Sequence, residues 1–503
     1  MRALLFSSTL LLACLLVPPA VSQTSLGGTL EARLAPSVPS ESGGFGFEVR
    51  YDNDRAIIIE IASTTLERRV RIFERTGSGW AQEFSASLPL ASQAFPSVSV
   101  DIDGDVAVVG LRSAESGGGL TGVVRVYERQ GGSWVEVDEL APPSAVAGDG
   151  FGTDVDLDGD LLAVGAAYSD GGAGSAFVFR RTGGGWMQQA RLTANDAAAN
   201  DWFGTEVAIE DDMLLVGSLR DDDRGSDSGS AYVFERDGTQ WSQIDKLRPS
   251  ANTDGANFGR ALVIRGDLAV IGAPRETADG QINAGAVYAF SRDGASWSLS
   301  ERLTADAPTM DQQWGWSLDL GPGRMMVGVG PGPASQADAF TRSGTEWTHE
   351  TTLVHPDGEM NPGGTSRFFG YSVALDGQRA IVTAVLEDTP PPVVVGAGAA
   401  YVFDLGVFVG AEDAPTAYAV SLSAPAPNPA RDRAVMTLGV AAPVRAVATL
   451  HDALGRRVAV LLDADVSGPV RLDVPTADLA PGVYTVRVET AGGSAVRRLS
   501  VVR

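Results

Sequence analysis

Phe151-Gly152-Thr153-Asp154-Val155-Asp156-Leu157-Asp158-Gly159-Asp160-Leu161-Leu162-Ala163-Val164-Gly165 decides the fold. Two short runs rich in Val and Leu flank Asp158-Gly159. That dipeptide suits a tight hairpin, because Asp and Gly tolerate the backbone angles a two-residue turn requires. A variable loop follows, then Gly174-Ser175-Ala176-Phe177-Val178-Phe179-Arg180. A second turn, Thr182 to Gly185, leads into Trp186-Met187-Gln188-Gln189-Ala190-Arg191-Leu192. Each piece has strand character and is bounded by turn residues, so the stretch predicts a four-stranded antiparallel meander.

The unit recurs along the chain. Its opening aromatic falls at Phe45, Phe95, Phe151, Phe203, Phe258, Trp314 and Phe369, 50 to 56 residues apart. The tryptophan of its fourth strand falls at Trp80, Trp134, Trp186, Trp241, Trp297 and Trp347. Four-stranded units repeated at this period predict a β-propeller, and seven openings predict seven blades. The seventh unit stops after its third strand, Ala399 to Phe403, with no tryptophan strand behind it. Leu30-Glu31-Ala32-Arg33-Leu34 resembles Gln189-Ala190-Arg191-Leu192. Residues 28–34 are therefore expected to supply the missing outer strand and close the ring.

Phe203-Gly204-Thr205-Glu206-Val207 and Val270-Ile271-Gly272-Ala273-Pro274 resemble the FG-GAP repeat, the blade of integrin α-chain heads and of many bacterial surface proteins. The resemblance covers roughly residues 24–405. Blade two departs from it at Phe95-Pro96, and blade six at Trp314-Gly315 and Gly330 to Gly332.

Composition excludes several functions. The chain has 503 residues and a net charge of −25, so it lacks the basic face that nucleic-acid binding needs. His349, His355 and His451 are its three histidines and Cys14 its single cysteine, which leaves little material for imidazole or thiolate chemistry. No G-x-S-x-G or H-E-x-x-H motif occurs, and the chain is expected not to be an enzyme. Its 63 acidic residues keep a carboxylate-pair hydrolase as the alternative. Met1-Arg2, the apolar run Ala3 to Val17 and the small-residue site ending at Ser22 read as a secretory signal peptide over residues 1–22. No later run is long and apolar enough for a stable membrane span.

Propeller geometry puts the first-to-second and third-to-fourth turns on one face. The second-to-third loops and the blade connections share the other. The first set is short. The second is long and acidic, with Asp196, Asp201, Asp254, Glu276 and Asp311 among its residues. Long loops on a rigid scaffold are where binding sites usually lie. A basic or cation-bridged partner is one reading of that charge, and solubility of an exported chain is another. Integrin FG-GAP blades carry calcium loops of the form D-x-D-x-D-G-x-x-D. Asp101 to Asp105 and Asp156 to Asp160 match only superficially, because apolar sequence resumes at once, and both read as hairpin turns. The better candidates for calcium are Asp221, Asp222, Asp223 and Asp227, in the second-to-third loop of blade four. A solvated acidic loop is the bland alternative.

After the propeller, residues 23–405, a linker is expected over 406–424 and a small β-sandwich over 425–503. The balance of charge shifts there: residues 421–503 hold 10 arginines against 7 acids. Six strands are expected, starting near Ala434, Arg445, Arg457, Val470, Gly482 and Ser494. Asn428-Pro429, Asp452-x-Leu454-Gly455-Arg456, Leu479-x-Pro481-Gly482-x-Tyr484 and Arg497-Arg498-Leu499 resemble the C-terminal sorting domain of type IX secretion substrates. That resemblance implies an Ig-like export signal, with the type IX machinery as partner. The expected fold class is all-β, a seven-bladed β-propeller followed by a small Ig-like β-sandwich. The expected role is a secreted or cell-surface bacterial protein binding an extracellular protein or glycan, with adhesion as its purpose. A passive surface component is a further alternative.

Overall fold

The computed structural model describes residues 28–36, 44–61, 67–88, 98–115, 119–142, 146–250, 253–294, 296–358, 367–389, 394–406, 420–422, 430–440, 444–451, 457–466, 470–477, 479–490 and 493–502. The expected signal peptide and the opening Phe95 of blade two lie outside them.

Seven four-stranded antiparallel sheets follow one another along the chain. Blade 3 is typical: Phe151–Asp158, Leu161–Ala166, Ser175–Thr182 and Gly185–Leu192, each strand bonded to the next. The first strand of each blade touches the first strands of its two neighbours, and that of blade 7 touches that of blade 1, so the ring is closed. Burial follows the sequence pattern. Leu161–Ala166 is buried throughout because both its faces are covered by neighbouring blades, whereas Gly185–Leu192 carries exposed polar residues at the rim.

The repeated aromatics and glycines have a shared purpose. Phe151, Phe203, Phe258 and Phe369 are fully buried, each packed against an aromatic pair from the third strand of its own blade, as Phe203 is edge-on to Tyr232 and Phe234. For Phe151, Phe203 and Phe258 the preceding blade clasps the backbone there between two glycines, whereas at Phe369 it offers Gly328 and Ser335. A Cβ on Gly165 would strike the Gly204 carbonyl, and one on Gly174 would strike the Phe203 carbonyl. Only glycine permits so close an approach. Blade 6 departs with compensation: the larger Trp314 replaces Phe, the smaller Asp338 stands where blades 4, 5 and 7 have Tyr, and the indole donates to Asp338 at 2.8 Å. At the junction of blades 1 and 2, Ile59 occupies the position of Gly165, and Ile57, Ile59, Ile61, Val98 and Val100 fill the space with side chains.

Thr29–Leu34 pairs antiparallel with Ala399–Asp404 and is the outer strand of blade 7. It performs the work of a fourth strand side chain by side chain. In blade 1, Glu83 accepts from Arg129 of blade 2 at 2.7 Å. Across the closure, Glu31 accepts from Arg75 of blade 1 at 2.6 Å.

The C-terminal residues form two sheets. One holds Val420–Leu422, Arg433–Val440 and Val470–Pro475, the other Arg457–Val466, Val444–His451, Gly482–Thr490 and Gly493–Val501. Ala434, Met436, Leu438, Leu450, Val486 and Leu499 are among the residues of the core between them. All six expected strands are present. Val420–Leu422 is an addition: it falls inside the stretch read as linker and pairs with Arg433–Val440.

Candidate functional site

The first strands surround a central channel, and alternate residues of each face it. These residues also lash the ring together. Asp101 accepts from the Leu157 amide at 2.6 Å, Asp156 from Ile209 at 2.6 Å and Asp319 from Leu375 at 2.6 Å. One tier nearer the short hairpins, Asp52 accepts from Gly104 at 2.8 Å, Asp103 from Gly159 at 2.7 Å, Asp158 from Asp211 at 2.5 Å and Asp376 from Asn53 at 3.0 Å. Every one of these bonds crosses from one blade to the next. Hairpin turns are present at Asp103–Asp105 and Asp158–Asp160, and their carboxylates satisfy neighbouring amides that an unpaired strand edge leaves open.

Crowding of acids in the channel changes their protonation. Burial pushes Asp101 up to about 7, against the opposing charge of Arg50. Burial, with the charge of Asp101, holds Asp156 well above the ordinary carboxylate range. Glu48, higher in the channel, is pushed up to about 7 by burial, with Asp154 adding and Arg50 opposing. Glu206 is raised further by burial and by Asp154. Ser99 Oγ lies 2.6 Å from Asp154 Oδ1 and 3.3 Å from Glu48 Oε1, so one hydroxyl bridges two carboxyls.

Above these acids the channel opens on the long-loop face into a chamber of about 280 Å³. Its wall is aromatic and cationic. Phe47 meets Tyr371 edge-on with centroids 5.7 Å apart, and Tyr371 meets Trp316 at 5.8 Å. Tyr168 stands edge-on to Trp202 at 5.4 Å. The Arg260 guanidinium lies over Trp316, 4.4 Å from the ring centroid, and is paired with Glu206. Arg112 donates to the Tyr168 hydroxyl at 2.6 Å. A rigid concave surface of this kind, apolar faces with a few fixed polar groups, is what small-ligand and sugar sites require. Sequence reading found the face but missed these residues. Phe47, Arg260, Trp316 and Tyr371 share one repeat position, two residues after the opening aromatic, where blades 3 and 4 carry Thr153 and Thr205. That variation inside the repeat, with Trp202 just before Phe203, is the signal the sequence offers.

The acidic loop of blade 4 is arranged differently. Asp221 and Asp223 come together with Asp196, and the Lys246 ammonium sits among them at 2.7, 2.7 and 2.8 Å. Asp221 is buried and also accepts from Ser230 and Tyr232, both at 2.9 Å. Asp222 turns away to cap the Asp227 amide at 2.8 Å, and Asp227 faces Arg220 at 3.5 Å. Burial opposes the charge on Lys246, yet its three carboxylate bonds hold its pKa above the usual value. Calcium needs six to eight oxygens. Here the converging carboxylates hold an internal cation, and of the four expected ligands Asp221 and Asp223 come together while Asp222 and Asp227 do not join them. The same staple recurs elsewhere. In blade 5, Glu276 takes Tyr288 at 2.7 Å and Arg302 at 2.6 Å. In blade 7, Glu387 takes Tyr401 at 2.8 Å and Arg33 of the closing strand at 2.9 Å. Other loop acids are likewise satisfied internally, Asp201 by the Ala198 amide and Asp254 by the Ser226 amide.

His355 is buried against Phe369 and Tyr401, with Nε2 3.3 Å from Glu387. His349 and His451 contact Thr352 and Thr449. Of the expected sorting-motif residues, Asn428, Pro429, Asp452, Gly455 and Arg456 lie outside the described residues. Gly482 opens its strand, Tyr484 donates from its hydroxyl to the Ala480 carbonyl at 2.9 Å, and Arg497 is exposed opposite Val486. The Tyr484 bond ties the side chain to the turn before its strand, a device common in β-sandwiches. No helix among the described residues is long and apolar enough to cross a membrane.

Residues 134–179, 186–234, 241–290 and 347–403 match the FG-GAP repeat family. Each match runs from the tryptophan strand of one blade through the third strand of the next. The architecture is a seven-bladed β-propeller, four stretches of which match the FG-GAP repeat, followed by a small β domain. No curated protein matches the chain. Among solved structures, a fungal alcohol oxidase of the AA5 family in complex with copper matches over 95% of this chain and 98% of its own. Its identity is 12% and its TM-score 0.41, too distant to carry chemistry across.

Proposed function

We propose that this is an exported or surface-displayed bacterial binding protein. Its propeller holds an extracellular protein or glycan at the channel mouth, in the service of adhesion. The supporting observation is the mouth itself. Phe47, Tyr168, Trp202, Trp316 and Tyr371 line one chamber with Arg112 and Arg260, on the face that carries the long loops. The C-terminal sandwich serves as the export signal read by the type IX machinery. Its spaced motifs and the Tyr484 bond support that role. Glycan and protein arrays probed with the purified chain test the reading. Saturable hits that disappear in a Trp202→Ala/Trp316→Ala variant of unchanged melting temperature are expected; no hits would sink it. Export is tested by removing residues 425–503, which should leave the propeller inside the cell.

One observation favours a second reading. Glu48, held near pH 7 and beside Asp154 in an aromatic-walled chamber, has the protonation of a general acid. An exported carbohydrate-active enzyme would turn over a polysaccharide in a panel and lose that turnover on Glu48→Gln.

A further inference from the structure

Next to the channel mouth, between blades 4 and 5, lies a second cavity of about 270 Å³. Trp202, Trp316 and Arg260 belong to both, so the two cavities form one cleft. Arg220 and Arg275 complete the cationic wall of the second one. In a chain of net charge −25, three guanidiniums meet here; Asp227 lines the same cavity, and Glu206, on the channel side of the cleft, pairs with Arg260. Asp227 engages Arg220 only loosely, at 3.5 Å. Arg275 is exposed and makes no side-chain hydrogen bond or ion pair among the described residues.

Two of these guanidiniums are already oriented. Arg220 lies over the Trp202 ring, 4.0 Å from its centroid, and Arg260 over Trp316 at 4.4 Å. A guanidinium held over an indole loses little freedom on binding, and its five N–H donors leave some for a further carboxylate even where, as at Arg260, one is taken by Glu206. Such a pair recognises planar anions in bidentate fashion. Beside it, the Phe47–Tyr371–Trp316 wall offers aromatic faces to the flat side of a sugar ring.

An extended acidic peptide fits less well. Peptides held in clefts draw much of their affinity from free strand edges. Along this channel those edges are taken: Asp154 holds the Val207 amide, Asp101 the Leu157 amide and Ser372 the Val49 amide. Resting on the proposed binding role of the mouth, we infer that this cleft recognises a glycan bearing uronic-acid carboxylates. Arg220, Arg260 and Arg275 form the anion subsite and Trp316 and Tyr371 the neighbouring sugar platform.

The test uses the full chain and calorimetry with short oligosaccharides of galacturonic, glucuronic and mannuronic acid. Each is paired with its carboxyl-reduced neutral counterpart, and a glutamate-rich peptide of equal charge is the further arm. At least one uronate oligomer is expected to bind at least about tenfold more tightly than its neutral form, the size of a charged hydrogen-bond contribution. Arg275→Ala, at an exposed position, should weaken that binding by about tenfold at unchanged melting temperature, and Arg275→Lys should restore part of it. Raising salt should weaken the uronate and not the neutral sugar. Equal binding of acidic and neutral sugars would overturn the anion subsite and leave the mouth as a sugar site. Binding of the peptide without the uronates would overturn the ligand class. No binding of any probe here or on the arrays would sink both readings.

Discussion

Two regions of this molecule are rich in carboxylates, and they relieve the repulsion in opposite ways. In the loop staple of blade 4, three acids share the Lys246 ammonium. In the channel, the acids take backbone amides from the next blade, and burial moves several of them toward the neutral form. The contrast shows that clustering along a sequence is a poor guide to where acidity is chemically available. The dense run Asp221-Asp222-Asp223 is consumed by structure. Acids spaced about fifty residues apart are the ones gathered around an open cavity.

The contrast breaks most severely at Lys246. Lys246→Met leaves Asp221 buried without its cation and should cost about 3–5 kcal/mol in denaturant unfolding. The matching Arg302→Met in blade 5 should cost less, because Arg302 is a third exposed and water can replace it at Glu276.

Acid dependence sharpens the comparison from the other side. Asp101 and Glu48 have folded pKa values of about 7, above those of the unfolded chain, which lie near 4. Between those values the folded protein binds more protons, so stability falls as pH rises through that window. Asp196 and Asp223 are lowered instead, the first by its bonds to Lys246 and Tyr232 outweighing burial and the second chiefly by Lys246. Their contribution is lost as pH falls below the carboxylate range. The melting temperature should therefore peak near mildly acidic pH and decline by a few degrees toward neutrality. Glu48→Gln should flatten part of that decline, and an unchanged slope would remove Glu48 from the account.

A smaller effect is expected at a single inter-blade bond. Asp158→Ala should cost about 1 kcal/mol by orphaning the Asp211 amide, while Asp158→Asn, which keeps an acceptor, should cost less. Smallest of all is the response to calcium. With Lys246 in place, added calcium should leave the melting temperature of the wild-type chain unchanged; a rise would place a cation site elsewhere.

The repeat was legible because it is made by local chemistry. Opening aromatics, Asp-Gly turns and outer tryptophans recur at one period, and even the closing strand was announced by Ala32-Arg33-Leu34. The six sandwich strands were legible for the same reason, by alternation between turns. Val420–Leu422 was not, since three residues set among Ala, Val and Pro carry no period. The partner of Asp221 lay 25 residues away on another strand, where a lone lysine gave no sign of its contact. The aromatic mouth was hidden more deeply: Phe47, Trp316 and Tyr371 share the position two after the opening aromatic, but blades 3 and 4 carry Thr there, and with Trp202 the three become neighbours only when the ring closes.

Closure by Thr29–Leu34 has a consequence for biogenesis. The strand that emerges first must wait for a partner some 370 residues later, at Ala400 to Asp404. Until then blade 7 lacks its rim and blade 1 lacks the Glu31 anchor for Arg75. Sealing the wheel is thus the last event open to the propeller, and it requires both of its termini on the same side of any barrier crossed. A polypeptide threaded through a membrane stays unlatched until almost all of the propeller has passed.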